Sequence, residues 1–432
     1  MRNASSQAAA AEPASQLRRE LGLADAVAIG LGAVIGAGIF VVTGVAASVA
    51  GASLIAGLAV AGVAAACNAL SSAELAAAYP LSGGTYEYGY RVLHPWAGFA
   101  AGWMFVASKL AGGGTVAIGF GAYLNALVPA VEPRVAAVVA VAGLAAANYF
   151  GVRKAGRLNT AIVAVTVGAL LYFVAAGAPA VASANFEPFA PAGWRGVLNA
   201  AALLFFAYTG YARIATLGEE VRDPARTIPR AVVITVAASI VLYLAVATVA
   251  VGTVGADVLA ASASPLESAA GALRAPGVAG VVGVGATTAM LGVLLSQVLG
   301  ISRMLFAMAR RGDLPAAFER VHATHAVPHV GIAFTAVVIA TLALVGTLEV
   351  VVAAAAFTIL LYYAITNVAA LRLAPAHHRF PRWVPALGLV SCLALAASLD
   401  LPTVASGLGL LAAGFVVRGL LRRAPPTERH ES

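Results

Sequence analysis

The sequence predicts an all-α membrane protein of twelve transmembrane helices, the first and sixth of them broken, and three observations carry that prediction. Apolar residues make up 61% of the chain and charged residues only 10%, against about 25% charged in soluble domains, and the mean hydropathy is +0.92. Apolar windows of about 20 residues, the length that crosses a bilayer, recur from one end of the chain to the other. Two of those windows are interrupted by small and polar residues, at Gly32-Ala33-Val34-Ile35-Gly36-Ala37-Gly38-Ile39-Phe40 and at Phe205-Phe206-Ala207-Tyr208-Thr209-Gly210.

In chain order, residues 1–20 are polar and rich in Ala and Ser, without the basic-then-apolar order of a secretory signal, and are expected to be a cytoplasmic tail. Spans one to five follow as Ala24 to Ala50, Leu54 to Ala78, Trp96 to Leu127, Val135 to Phe150 and Leu158 to Gly177. Spans six to ten run Val197 to Leu217, Ala231 to Val254, Val278 to Ala309, Val330 to Val345 and Val350 to Leu371. Spans eleven and twelve are Val384 to Leu399 and Val404 to Leu420, and residues 422–432 form a second cytoplasmic tail. The spans make one transmembrane domain, 21–421, with no linker long enough to set a soluble domain apart. Each group of five opens with a broken span, so 21–178 and 194–372 read as two structural repeats, with 381–421 outside them. Five spans per repeat is odd, so the second copy enters the membrane from the opposite side, which makes an inverted pair.

Positive charge tests the topology, because cytoplasmic loops hold the excess of Lys and Arg. With the N-terminus inside, 21 of the 26 Lys and Arg fall in inner segments. The outer segments hold only Arg134, Arg195 and Arg274, while Lys109 and Arg213 lie within spans. An odd span count would scramble this segregation. The net charge of +8 therefore reflects orientation in a lipid bilayer, and nucleic acid is not the partner it implies. Both termini are expected in the cytoplasm, and the short loops suit a multi-pass protein of a bacterial cytoplasmic (inner) membrane.

The breaks point to a transporter. Backbone that leaves the helical ladder finds no water inside lipid, so unwound turns survive only where they line a protected cavity. Matching breaks in two halves mark a binding site near the midplane, whereas a single glycine-rich span would equally suit close helix packing. Other chemistry is sparse. Cys67 and Cys392 sit in apolar spans without metal or redox spacing. All seven histidines, His94, His322, His325, His329, His377, His378 and His430, fall in inner segments, so neither an intramembrane histidine relay nor an HExxH metal site is predicted. No cofactor, metal or catalytic residue is expected, and an enzyme is disfavoured.

Four stretches carry a resemblance: Gly32 to Phe40; the turn Tyr79-Pro80-Leu81-Ser82-Gly83-Gly84-Thr85-Tyr86; Phe205 to Arg230 with Gly218-Glu219-Glu220-Val221-Arg222-Asp223-Pro224; and Ser302 to Pro315. In order and spacing they resemble the amino acid/polyamine/organocation (APC) superfamily of permeases, from about Leu21 to about Val417. The resemblance implies the LeuT-like five-plus-five inverted fold and secondary active transport of amino acids or related amines. Half-helix ends can hold a zwitterion without ionised side chains. At the positions matching the family's substrate-contacting turns, the N–H groups of Gly36, Ala37 and Gly38 are expected to hold the carboxylate. The carbonyls of Val34, Ile35, Phe206, Ala207 and Thr209 are expected to hold the ammonium. Phe206 and Tyr208 are candidate gates, with core packing as the alternative for each ring.

Lys109 is the most informative side chain, because an ionisable group in mid-span costs about 2.5 to 3.5 kcal/mol on insertion scales and marks function. Gly98, Gly102, Phe105, Gly112 and Val116 share its helical face, which should point into the bundle. Protonated, Lys109 could take the place of a sodium ion and release its proton during transport, a change of charge that lysine permits when buried. It could instead pair with a substrate carboxylate, or bond backbone carbonyls. Sodium-independent relatives carry a coupling lysine on the fifth span, where Thr166 stands here; Thr287 and Thr288 keep sodium as the less favoured coupling ion.

Some relatives of cationic substrates have an aspartate in the sixth-span turn. Here Ala212 is followed by Arg213, so the expectation is proton-coupled symport of neutral amino acids, with an acidic substrate left open. Arg213 is read as snorkelling to the cytoplasmic end. Glu74 is read as partner to a gate arginine or as a proton relay, and the Glu219, Glu220, Arg222, Asp223, Arg226 cluster as an inner latch. A cationic amino acid or polyamine carrier or exchanger, and an amino acid sensor that moves nothing, share this architecture.

Overall fold

The computed structural model describes residues 21–79, 83–150, 155–215, 220–375 and 378–423. Outside them lie the tail 1–20, most of the C-terminal tail, Pro80 to Ser82 of the quoted turn, Arg153 and Lys154, Glu219 of the latch cluster, and His377. Among the described residues every regular element is helical, and the one β contact is a parallel bridge between Leu21 and Val221. Nine of the described helices are long and apolar enough to cross a membrane. Three shorter apolar helices, Pro133–Tyr149, His329–Val345 and Trp383–Ser398, occupy predicted spans four, nine and eleven.

The helix ends follow from local chemistry. His94 and Glu132 accept from the N–H groups of Trp96 and Val135, each ahead of a proline at the first helical position, where the missing N–H costs nothing. Thr347 caps Leu348–Leu371 by accepting from Val350. Gly51 takes φ +61, a left-handed turn that glycine reaches without strain, and so ends the first span before Leu54–Ala78 begins.

Packing sets the two broken spans at the centre. Leu23–Val34 lies against predicted span seven, Pro224–Val254, while Gly193–Phe205 lies against predicted span two. Around this group, predicted span three, Pro95–Leu127, packs on spans eight and ten, and span eight on span five. The outward faces expose Val139, Val241, Val337, Val416 and Leu420, an apolar surface of a kind that meets lipid rather than water.

Candidate substrate site at the paired helix breaks

The first span leaves the helix at Ile35 (φ −80, ψ 104) and Gly36 (φ −164, ψ −146) and resumes at Ala37–Phe40. The ladder is therefore open where the sequence places it. The sixth span behaves differently: Gly193–Phe205 tightens into a 3-10 helix over Phe206–Tyr211 before a last turn, Ala212–Ala215. Its backbone keeps short-range hydrogen bonds in place of a fully unwound turn, a known form of mid-helix strain.

The two breaks touch through backbone. A Cβ on Gly38 would stand 2.3 Å from the Cα of Ala207, and one on Gly210 would stand 2.1 Å from the carbonyl oxygen of Ala33. Only glycine permits this approach. All eight predicted substrate-turn residues, Val34 to Gly38 with Phe206, Ala207 and Thr209, are buried. Of the five carbonyls assigned to the ammonium, all but that of Ile35 are met by tyrosine hydroxyls or a neighbouring threonine. Tyr243 donates to the carbonyl of Val34 at 2.9 Å and reaches that of Ala207 at 3.4 Å, bridging the breaks. Thr209 donates to Phe206 at 3.0 Å, and Tyr363 reaches the carbonyl of Thr209 at 3.3 Å.

The two candidate gate rings go separate ways. Phe206 lies on the third span, its ring edge 2.8 Å from where a Cβ on Gly112 would be. Tyr208 turns toward the second span, donating to the carbonyl of Leu58 at 3.3 Å while its ring packs on Tyr243 at 5.3 Å between centroids. Lys109 sits one turn before Gly112, with its ammonium 5.6 Å from the Phe105 ring, and Phe105 packs in turn on Tyr362. Among the described residues Lys109 has no ion pair and no hydrogen bond. The hydroxyls of Thr287 and Thr288 return to carbonyls of their own helix, as threonines in spanning helices commonly do. Thr166 does the same and also reaches the carbonyl of Gly285 at 3.4 Å. Arg213 lies within electrostatic reach of Arg303 and Glu220, at the polar end of its span.

Other expectations are corrected. Glu74 is buried and pairs with no guanidinium among the described residues: it accepts from the backbone N–H groups of Arg379 and Phe380 and faces the His378 imidazole at 3.4 Å. Glu219 of the latch cluster lies outside the described residues; among those described, the segment after the sixth span is tied by main chain, with Leu21 donating to Glu220 and Arg222 donating to Leu21. Its Arg226–Asp223 pair is exposed, at 3.8 Å.

Sequence reasoning missed the strongest polar cluster. Asp313, fully buried, accepts from Arg418 at 2.9 Å, Tyr86 at 2.8 Å and Tyr90 at 2.5 Å, and Arg418 also donates to Tyr90 at 2.8 Å. Burial, and then the hydrogen bond to Asp313, push the Tyr90 phenol up to about 12, which keeps it a donor. The buried trio of Asn68, Asn367 and Cys392, tying spans two, ten and eleven, was missed as well.

A multi-pass helical bundle whose two broken helices meet backbone to backbone has the architecture of a membrane carrier. The sequence model of the amino acid permease family matches residues 25–419, and the chain belongs to that family. It is 45% identical to an uncharacterised transporter of Mycobacterium tuberculosis (strain ATCC 25618 / H37Rv), over 94% of this chain and 92% of that one. It is 30% identical to the branched-chain amino acid permease of Bacillus subtilis (strain 168), over 96% and 95%. It is 34% identical to a methylthioribose transporter of the same organism, over 76% and 75%.

Proposed function

We propose that this permease carries neutral amino acids across the cytoplasmic membrane by proton-coupled symport, through alternating access about the paired breaks. The observation that carries the reading is the contact of Gly38 with Ala207 and of Gly210 with Ala33, which brings the open turn of the first span and the hydroxyl-paired carbonyls of the sixth to one place. The substrate carboxylate sits at the N–H groups of Gly36, Ala37 and Gly38. The ammonium is held by carbonyls among Val34, Ile35, Phe206, Ala207 and Thr209, those that now meet side-chain hydroxyls being released to it. Phe206 closes over the substrate from the side of Gly112, while the packing of Tyr208 favours a supporting part for that ring.

The twelve-span, five-plus-five inverted arrangement draws support from the pairing of elements. Span three on ten mirrors span eight on five, and span two on six mirrors span seven on one, as a pseudo-two-fold axis between spans 1–5 and 6–10 requires. The distribution of Lys and Arg supports termini in the cytoplasm. Lys109 couples the proton, supported by a mid-span ammonium that lies 5.6 Å from the Phe105 ring and has no ion pair or hydrogen bond among the described residues. Ala212 and Arg213 in place of a carboxylate favour a neutral over a cationic substrate.

The test is uptake into proteoliposomes of labelled neutral, acidic and cationic amino acids, with methylthioribose as a comparison, under imposed pH or sodium gradients. Neutral amino acid flux driven by inward protons and lost in Lys109→Ala supports the reading. Sodium-driven flux, or flux indifferent to Lys109→Ala, removes the proton-coupling role. Absence of flux from folded protein turns the reading toward a sensor.

A further inference from the structure

We propose that Gln297, on predicted span eight, reads the substrate's side chain and selects neutral amino acids bearing a hydroxyl or carboxamide, an inference that rests on the amino acid transport reading above. Span eight reaches the site through one face. Val293 stands 2.8 Å from the place a Cβ on Gly36 would occupy, so it packs on the first break. Gln297 lies four residues on, one helical turn along the same face. Its amide nitrogen is 3.7 Å from the Cβ position of Gly112, the same position that the Phe206 ring approaches to 2.8 Å. The amide oxygen is 3.1 Å from the Cβ position of Gly113. The carboxamide and the candidate gate ring thus flank one pair of glycines on span three, with Lys109 one turn earlier on that span.

The Gln297 amide oxygen is shielded from solvent and has no hydrogen-bond partner among the described residues. Buried polar side-chain atoms are nearly always paired, so an unpaired one beside a binding site calls for a partner that arrives with the ligand. A carboxamide presents both a donor and an acceptor. A hydroxyl or carboxamide on the substrate answers both, a carboxylate answers one, and a hydrocarbon answers neither. The Phe206 ring at Gly112 and Ile339 at Gly113 occupy the space beside the carboxamide, so the substrate side chain reaches Gln297 as the Phe206 ring gives way.

The experiment is competition uptake in proteoliposomes, with serine, threonine, asparagine and glutamine set against alanine and leucine, in wild type and Gln297→Leu. Wild type is expected to prefer the polar set. In Gln297→Leu the preference for the polar set over alanine falls about tenfold, the scale of one neutral hydrogen bond. An unchanged preference with intact uptake overturns the role of Gln297 and leaves transport standing. Absence of uptake of any amino acid by folded wild type overturns both. If Gln297→Leu does not insert, Gln297→Met replaces it. Thermal stabilisation of detergent-solubilised wild type gives a further reading: serine stabilising more than alanine supports the assignment, and equal stabilisation overturns it.

Discussion

Replacing Asp313 by Asn separates charge from shape at the most buried polar cluster of the chain. Asp313 and Arg418 are 0% and 1% exposed at the side chain, with a nitrogen–oxygen distance of 2.9 Å. The carboxamide would keep an acceptor for Tyr86 and Tyr90 but leave the guanidinium without its counter-charge. Removing one partner of such a pair costs about 3–5 kcal/mol, mostly as the penalty of the charge left behind. The surroundings of Arg418 pull toward the lower end. It lies over the rings of Trp96 and Phe99, at 4.9 and 5.0 Å from their centroids, and cation–π attraction persists after the substitution. The expected loss is therefore about 3 kcal/mol, on the order of a hundredfold in the folding equilibrium.

Denaturant unfolding of purified protein in detergent measures this, together with Arg418→Gln and the double variant. Because the partners share one interaction, the double variant should be more stable than the sum of the singles by at least about 1.5 kcal/mol, within the range of coupling for contacting residues. A single-variant loss below about 1 kcal/mol, or strict additivity in the cycle, would refute the assignment of Asp313 and Arg418 as an interdependent buried pair.

Arg311, which meets Glu87 at 2.8 Å with side-chain exposures of 34% and 15%, should lose no more than about 1 kcal/mol on replacement by Ala, as half-exposed pairs do; the same unfolding assay ranks it against Asp313→Asn. Gly210→Ala forces a Cβ to within 2.1 Å of the Ala33 carbonyl, and should cost about 1–3 kcal/mol and abolish uptake. Gly143→Ala, where a Cβ meets nothing within 4 Å, should leave uptake unchanged. Tyr243→Phe removes the hydroxyl that bridges Val34 and Ala207, and should lower stability by about 1 kcal/mol with a severalfold change in the KM of uptake; unchanged values of both would make the bridge idle.

The first break was legible because glycines at 32, 36 and 38 interrupt an otherwise apolar window and chain geometry follows from them directly. The form of the second was not. Phe205 to Gly210 offers one glycine among aromatics, and whether such a stretch unwinds or tightens depends on the tyrosines that receive its carbonyls, Tyr243 and Tyr363, which lie on other spans. Asp313 stood in a quoted motif, yet its partner Arg418 lies 105 residues away and periodicity cannot join them. For Glu74 the sequence suggests an arginine side chain as partner. The structure supplies main-chain N–H groups instead, from a loop that carries no composition signal for that contact.

Under the proposed alternating access, the kinds of bond at the predicted cytoplasmic ends separate what moves from what stays. Spans one and six are tied there by main-chain bonds between Leu21 and residues 220 and 222, and Arg379 adds a side-chain bond to the carbonyl of Ala225 at the start of span seven. Water can replace such bonds at little net cost when an inner path opens. The Asp313 cluster joins the loop before span three, the end of span eight and span twelve through a desolvated ion pair, and breaking it would strand a buried charge. Opening that spares this cluster moves spans one, two, six and seven, which already pack on one another, against a frame built from spans three, eight and ten. Tyr243 then travels with the breaks it bridges. The site can shift between faces while the carbonyls of Val34 and Ala207 remain paired until substrate claims them.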